Sequence, residues 1–331
     1  MACILGAELV HTLILLLTLI SPPALKPFIL RVLAGAQVGR NVKIGWFAGL
    51  TGRHIALGDY AEVRSFTLIQ CDGDLHIGAY SIISSFNLVY GCAGLWVGDH
   101  AYIGPQSLIN CDEDVSLGHH SALGARSMVY THGSYLPYTE GYWVKFGRVS
   151  IGDYTWCAAG VFLHPGVSVG NNCFVNSRSV VTQDIGDGEV VEGFPAQRVT
   201  TMDRVKRNMT PKRLDAAAAQ MIEHFAAMVL QRQFGIRAQR ISSGQITFQY
   251  RGQSYRLALI PSHGQEWQPH AANETVILMV NRANWSPPAN TLIFDLATME
   301  TPQPTDPMHS QFDLFMRRYY GVQFRYRTIA A

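Results

Sequence analysis

The sequence predicts a mainly β chain: a left-handed parallel β-helix, preceded by a hydrophobic N-terminal helical segment and followed by a small α+β domain. Three observations predict it. Aliphatic residues recur every six positions through the middle of the chain, a long apolar run opens it, and the hexads stop near residue 200. The expected boundaries are 1–36 for an apolar, membrane-associating segment, 37–200 for the β-helix with a loop at 130–150, and 201–331 for an α+β domain of unknown role.

The repeat is the strongest signal. An aliphatic residue precedes glycine at Leu57-Gly58, Ile77-Gly78, Val97-Gly98 and Leu117-Gly118, twenty residues apart each time. Within each unit the aliphatics step by six: Leu57, Val63, Ile69, Leu75; Ile77, Ile83, Val89, Leu95; Val97, Ile103, Ile109, Val115; Leu117, Leu123, Val129. All fifteen positions are Val, Ile or Leu, which by chance is on the order of one in a billion. A period of six suits neither a helix nor simple strand alternation, but it suits a chain that turns a corner after each short strand. Three strands then make one triangular coil, with two residues per coil left over for a corner bulge. After an interruption the pattern resumes as Ile151, Cys157, Leu163, Val169, Val175 and Val181, now in a plain eighteen. The interruption, THGSYLPYTEGYWVKFGR, abandons the repeat and reads as a loop leaving the prism, where a site would be built.

At the N-terminus, Leu9 to Ile20 is almost wholly apolar, Ser21-Pro22-Pro23 follows, and Phe28 to Leu33 is a second apolar stretch. Ile4 to Ile20 is short for a span of about 20 residues and includes Glu8 and His11. A membrane-surface anchor fits better, with Lys26, Arg31, Arg40 and Lys43 placed to meet anionic headgroups. The competing reading is a helix pair packed on the protein's own core or on a sister subunit. No small-residue cleavage site follows, so a cleaved signal peptide is not expected.

Composition narrows the function classes. With 26 basic against 24 acidic residues there is no charge surplus to drive nucleic-acid binding. Six cysteines without CxxC spacing read as reduced, mostly buried thiols, so the expected location is cytoplasmic, at the inner face of the membrane. Beyond Val199, Pro211 to Phe234 reads as an amphipathic helix. Alternating Ile246, Phe248, Tyr250 and Tyr255, Leu257, Leu259, with runs at 275–280 and 291–296, read as strands, and Phe312, Phe315, Met316 and Tyr319 suit a closing helix. This domain shows no catalytic constellation; Asp295 and His309 stand alone.

The stretch from His132 to Val199 resembles the hexapeptide-repeat O-acetyltransferases that act on maltose, galactosides and capsular or colanic-acid polysaccharides. The carrying segments are VSIGDYTWCAAGVFLHPGVSVGNNCFVNSRSVVTQDI and VVEGFPAQRV. The resemblance implies acetyl-CoA as donor cosubstrate, a homotrimer with sites between parallel prisms, and no metal. It makes His132 the general base that takes the proton of an attacking hydroxyl, a role worth roughly a hundred- to ten-thousand-fold in rate. Donor contacts carry over to Ala159, Ser177, Thr182 and Gln183, with Arg198 for phosphate; Trp156 reads equally as lining the cofactor channel and as an aromatic capping the prism edge. Gln183 stands where many members have a basic residue, and Ala158 and Asn176 where glycine is frequent. For the acceptor, Asn87, Asn110 and Asp112 are candidates, the last two facing His132 across a subunit boundary, and loop residues Tyr135, Tyr138, Tyr142 and Trp143 are available either to stack on a sugar or to pack the loop down. Asn and Asp at corners also hydrogen-bond their own turns, so a structural role is the alternative there. The preferred acceptor is a surface glycan in capsule, exopolysaccharide or O-antigen synthesis. Rival readings are an amino-sugar N-acetyltransferase, a catalytically inactive β-helix scaffold, and a zinc enzyme of the γ carbonic anhydrase kind built from His76, His100, His119, His120, His132 and His164.

Overall fold

The computed structural model describes residues 12–134, 136–263, 274–282 and 291–327. The chain divides into two compact units, Met1–Arg207 and Asn208–Ala331.

The first unit is a left-handed parallel β-helix with three parallel sheets as faces. One face stacks strands 37–38, 55–57, 75–77, 95–97, 115–117, 149–151 and 168–169; the third runs from 49–51 to 180–181 in seven strands; the second has nine. The register matches the hexads. Ile77, Val97, Leu117, Ile151 and Val169 sit one above another, as do Ile83, Ile103, Leu123, Cys157 and Val175, and Val89, Ile109, Val129, Leu163 and Val181. Each fills the prism interior and is buried. Val38, Ile44 and Leu50 form one coil more than the twenty-residue repeat marks, closed onto the next by Gln37–Val38 pairing with Ala56–Leu57.

The corner glycines are needed for close approach rather than for an unusual φ. A Cβ on Gly118 would lie 2.5 Å from the carbonyl carbon of Gly152 in the next coil, and one on Gly78 2.5 Å from that of Gly98. The left-handed backbone falls two residues later, on Tyr60, Tyr80, His100, His120 and Tyr154. Their rings stack into a ladder with centroids 4.7–5.1 Å apart, close to the strand spacing that sets the rise of each coil.

The two ends of the prism are closed differently. A helix over 12–20 and a second, Lys26–Leu33, cover the first coil, while the hairpin Glu189–Gly193/Ala196–Thr201 extends the second face at the other end. Among the described residues no helix is long and apolar enough to cross a membrane.

The second unit has a seven-stranded mixed sheet in the order 239–242, 245–250, 253–260, 274–280, 291–295, 300–302 and 325–327. Helix Pro211–Phe225, which continues through one π-turn to Phe234, and helix Pro307–Tyr320 contribute Ile222, Phe225, Phe312 and Phe315 to its main core. His309 is buried there against Phe294 and bonded to Thr301, and burial lowers its pKa to about 4, so it is a neutral core histidine.

Candidate active site

His132 follows the third-face strand Met128–Val129, at the corner leading to the first face. The backbone at this point is fixed from below. Buried Thr131 donates through Oγ1 to Asn110 O and Oδ1, both at 3.0 Å, and accepts the Glu113 N–H at 3.0 Å. Asn110, also buried, donates through Nδ2 to Asp112 Oδ2 at 3.0 Å, which aims that carboxylate. Asp112 Oδ2 then lies 3.7 Å from His132 Nδ1, within ion-pair range but too long for a hydrogen bond. The other side of the imidazole is held by the loop. His132–Gly133 pairs antiparallel with Lys145–Phe146, and the Phe146 ring stacks on the imidazole with centroids 4.2 Å apart. Both His132 and Asp112 remain about one-third exposed, and neither imidazole nitrogen has a hydrogen-bond partner among the described residues.

Asn110 and Asp112, expected to face His132 from another subunit, lie beneath it in the same chain, one twenty-residue coil earlier. The column continues upward along this corner. In the next coil His164 reaches this corner in register above Tyr130, its ring 4.6 Å from Phe162, its pKa lowered by burial and by the Lys145 ammonium. Thr182 and Gln183 reach the same corner one coil further on, both exposed.

The remaining donor candidates sit elsewhere. Trp156 is on the second face, half exposed and tilted against Phe174 at 5.0 Å. Ala159 and Ser177 occupy the corner between the second and third faces. Ala159 is exposed and its carbonyl accepts the Arg178 N–H at 2.9 Å, whereas the Ser177 N–H is taken by Asn176 Oδ1 at 2.8 Å. Arg198, on the terminal hairpin, is 3.6 Å from Glu189 and mostly exposed. The structure therefore distributes the donor candidates over two corners, the second face and a hairpin.

Asn87 joins neither group. It is 2% exposed, donates to Ser84 O at 2.7 Å and accepts the Ser107 N–H at 2.8 Å, one rung of an internal ladder with Thr67, Ser107 and Ser127. Its placement is that of a corner residue bonding its own turns. Tyr138 and Trp143 project from the loop, 73% and 76% exposed, so they do not pack it down; Tyr142 is also exposed and Tyr135 lies outside the described residues. The histidines considered for zinc are spread along ladders, His76 on Trp96 and His100 on His120, and among the described residues no three metal-ligating side chains gather. A cleft of about 570 Å³ opens at the first coil, lined by Pro23, Lys43 and Arg64 among others, away from the His132 corner.

No protein-family model matches the chain. It is 30% identical over 182 residues to WcaF of Escherichia coli K12 and of Shigella flexneri, proteins named for acetyl transfer in colanic acid biosynthesis; the match covers 55% of this chain and 76% of theirs. The chain belongs to the hexapeptide-repeat acetyltransferase family. A shorter stretch of 55 residues is 33% identical to a chloramphenicol acetyltransferase of Klebsiella aerogenes, covering 17% of this chain and 26% of that one. Among solved structures, the hexapeptide-repeat acetyltransferase VCA0836 of Vibrio cholerae (20% identity, TM-score 0.35) covers 59% of this chain and 92% of its own. The N-acyltransferase AntD of Bacillus cereus (22% identity, TM-score 0.36) covers 51% and 84%. At those scores the superpositions carry no weight for the site.

Proposed function

We propose that this enzyme transfers the acetyl group of acetyl-CoA to a carbohydrate hydroxyl in surface-polysaccharide synthesis, with His132 as general base. The observation that carries this reading is the imidazole held between Asp112 and Phe146 with neither nitrogen hydrogen-bonded among the described residues. An alcohol is a poor nucleophile at neutral pH. A positioned neutral imidazole takes its proton as the oxygen attacks the thioester carbonyl, and the resulting imidazolium lies beside the Asp112 carboxylate. The tetrahedral intermediate collapses with release of the coenzyme A thiolate, which takes the proton from the His132 imidazolium, and an acetyl ester remains on the acceptor. No covalent enzyme intermediate is required.

For the donor, Thr182 and Gln183 share the His132 corner, while Trp156, Ala159 and Ser177 lie beyond the third face. This split supports a trimer in which one subunit's His132 corner meets the other corner of its neighbour. With its amide already bonded, Ser177 is left to contribute its hydroxyl, whereas the exposed Ala159 N–H is free to take a pantetheine carbonyl. Arg198 suits a nucleotide phosphate, in competition with Glu189. For the acceptor, Tyr138 and Trp143 offer exposed rings for stacking on a sugar, and Asp112 and Asn110 act through the base more than on the substrate. Asn87 is better read as structural.

The test is acceptor-dependent release of free coenzyme A from acetyl-CoA by the wild type and by His132→Ala, with lipid-linked glycans, nucleotide sugars and amino sugars as acceptors. Release with hydroxyl acceptors that falls roughly a hundredfold or more in the variant is expected. Release only with amines, or release unchanged in the variant, would refute the reading; no release and no donor binding would leave the prism as a scaffold.

A further inference from the structure

We propose that the helical cap at the first coil is a docking surface for an anionic lipid bilayer, on which the prism stands by its end. The inference goes beyond acetyl transfer and does not depend on it. Both cap helices are two-sided. Their inner side chains are anchored to the protein: Thr18 accepts the Leu50 N–H at 3.3 Å, Leu30 and Ile14 join the prism core, and buried Lys26 donates to the carbonyls of Gly45 and Ala48 at 2.6 and 2.9 Å. A helix held this way is not free to cross a membrane, yet its outer side is apolar. Leu13, Leu16, Ile20, Leu25, Phe28 and Val32 are each 51–65% exposed, and Trp46 and Phe47 of the first coil are about half exposed. Exposed apolar residues are ordinary when scattered, but a cluster of this size marks an interaction surface.

Charge selects the occupant. From residue 9 to residue 58 the chain has no Asp or Glu, and it carries Lys26, Arg31, Arg40, Lys43 and Arg53. Of these only Lys26 is buried, and Arg40 is ion-paired with Asp59 at 2.7 Å, so Arg31, Lys43 and Arg53 are the exposed cations that border the apolar cluster on its own stretch of chain. A second copy docking on this surface would bring like charges together, which disfavours an isologous contact. An anionic bilayer takes both features at once: the apolar outer side enters the headgroup–acyl boundary by about 5–10 Å, and the cations stay at headgroup level.

The experiment is flotation of the full-length protein with vesicles of phosphatidylcholine alone and with about one-third phosphatidylglycerol. The expected result is binding roughly tenfold or more tighter to the anionic vesicles, since each Lys or Arg near the surface contributes severalfold. Leu25→Ser/Phe28→Ser should weaken it by roughly tenfold or more with acetyl transfer unchanged, because both side chains are exposed and outside the site. Brominated lipids should quench the fluorescence of Trp46, and Trp46→Phe should lose most of that quenching. Failure to float with anionic vesicles, or flotation unaltered in the double variant, overturns the proposal. So does a concentration-dependent dimer, without vesicle binding, that the same variant abolishes; that result assigns the surface to a second copy. None of these readouts involves coenzyme A, so they separate from a failure of the His132 assay.

Discussion

Lys26 is the residue on which the cap turns, and its removal yields a quantitative pH prediction. Its side chain is fully buried, and loss of hydration lowers its pKa from the ordinary 10.5 to about 8. Between those two values the unfolded chain holds the proton and the folded chain has released it. Unfolding then takes up a proton, so stability rises with pH from about 8 to 10.5 and is insensitive to this group at lower pH. The full drop corresponds to about 3 kcal/mol. Two carbonyl partners, Gly45 O and Ala48 O, favour the charged ammonium and offset part of this. A net gain of about 1–2 kcal/mol between pH 7 and 10 remains. Other groups titrate in the same range, so the measurement is the difference between wild type and Lys26→Met in urea unfolding at each pH. The wild type should gain on the variant by roughly 0.5–1 M in midpoint across that range, for a urea dependence of about 2 kcal/mol/M. A difference that stays flat or falls from pH 7 to 10 would mean that the ammonium is as well solvated in the cap as in water, and would refute the reasoning.

Three further outcomes follow from the geometry. Gly118→Ala should cost about 2–3 kcal/mol or more in thermal or urea unfolding, because its Cβ would meet the Gly152 backbone at 2.5 Å; Gly133→Ala, with nothing within 4 Å, should stay within about 0.5 kcal/mol of wild type. Asp112→Asn should lower kcat by about tenfold with the acceptor KM unchanged, the signature of a group that positions the base without touching substrate; an altered KM at constant kcat would contradict that role. In a Cys3→Ser background the native protein should react with a thiol reagent at Cys92, since Cys71, Cys111, Cys157 and Cys173 are buried, and burial raises the thiol pKa of Cys157 to about 12; reaction of several thiols before unfolding would contradict it.

The hexads were legible because a prism imposes inward aliphatic positions at a fixed interval, one per strand on two faces and two per strand on the first, whatever decorates the outside. All fifteen aliphatic positions from Leu57 to Val129 are buried. The first coil escaped the repeat because the step from Val38 to Leu57 is nineteen residues, one short of the period. Corner glycine was legible, but its reason was not: crowding comes from the backbone of the next coil, a contact between residues 20 or 34 positions apart. The pairing of Asp112 with His132 was available in the sequence, since the twenty-residue period places 112 directly beneath 132. Asn87 shows the opposite limit. An Asn near a corner reads the same whether its amide points to solvent or into the ladder with Ser107, and only the folded structure separates the two.

The location of the His132 corner has a structural reason beyond the loop itself. Two of the three corners keep strict hexad spacing in every coil from Leu57 onward, so their side chains are locked to the stacking interval. The third corner alone varies: Ile69 to Ile77, Val89 to Val97 and Ile109 to Leu117 take eight residues, Val129 to Ile151 takes twenty-two, and Leu163 to Val169 takes six. Extra chain at this corner can leave the prism without breaking the ladders of the faces, because parallel pairing resumes in register at Val149–Ile151. The bulges of the earlier coils carry Cys92 and Asp112 outward, the long insertion folds back as the hairpin that brings Phe146 onto His132, and the tight turn above leaves Thr182 and Gln183 uncovered. A prism of short strands has no cleft of its own; variation in length at a single corner supplies one wall, and in the trimer proposed above a neighbouring prism would supply the other.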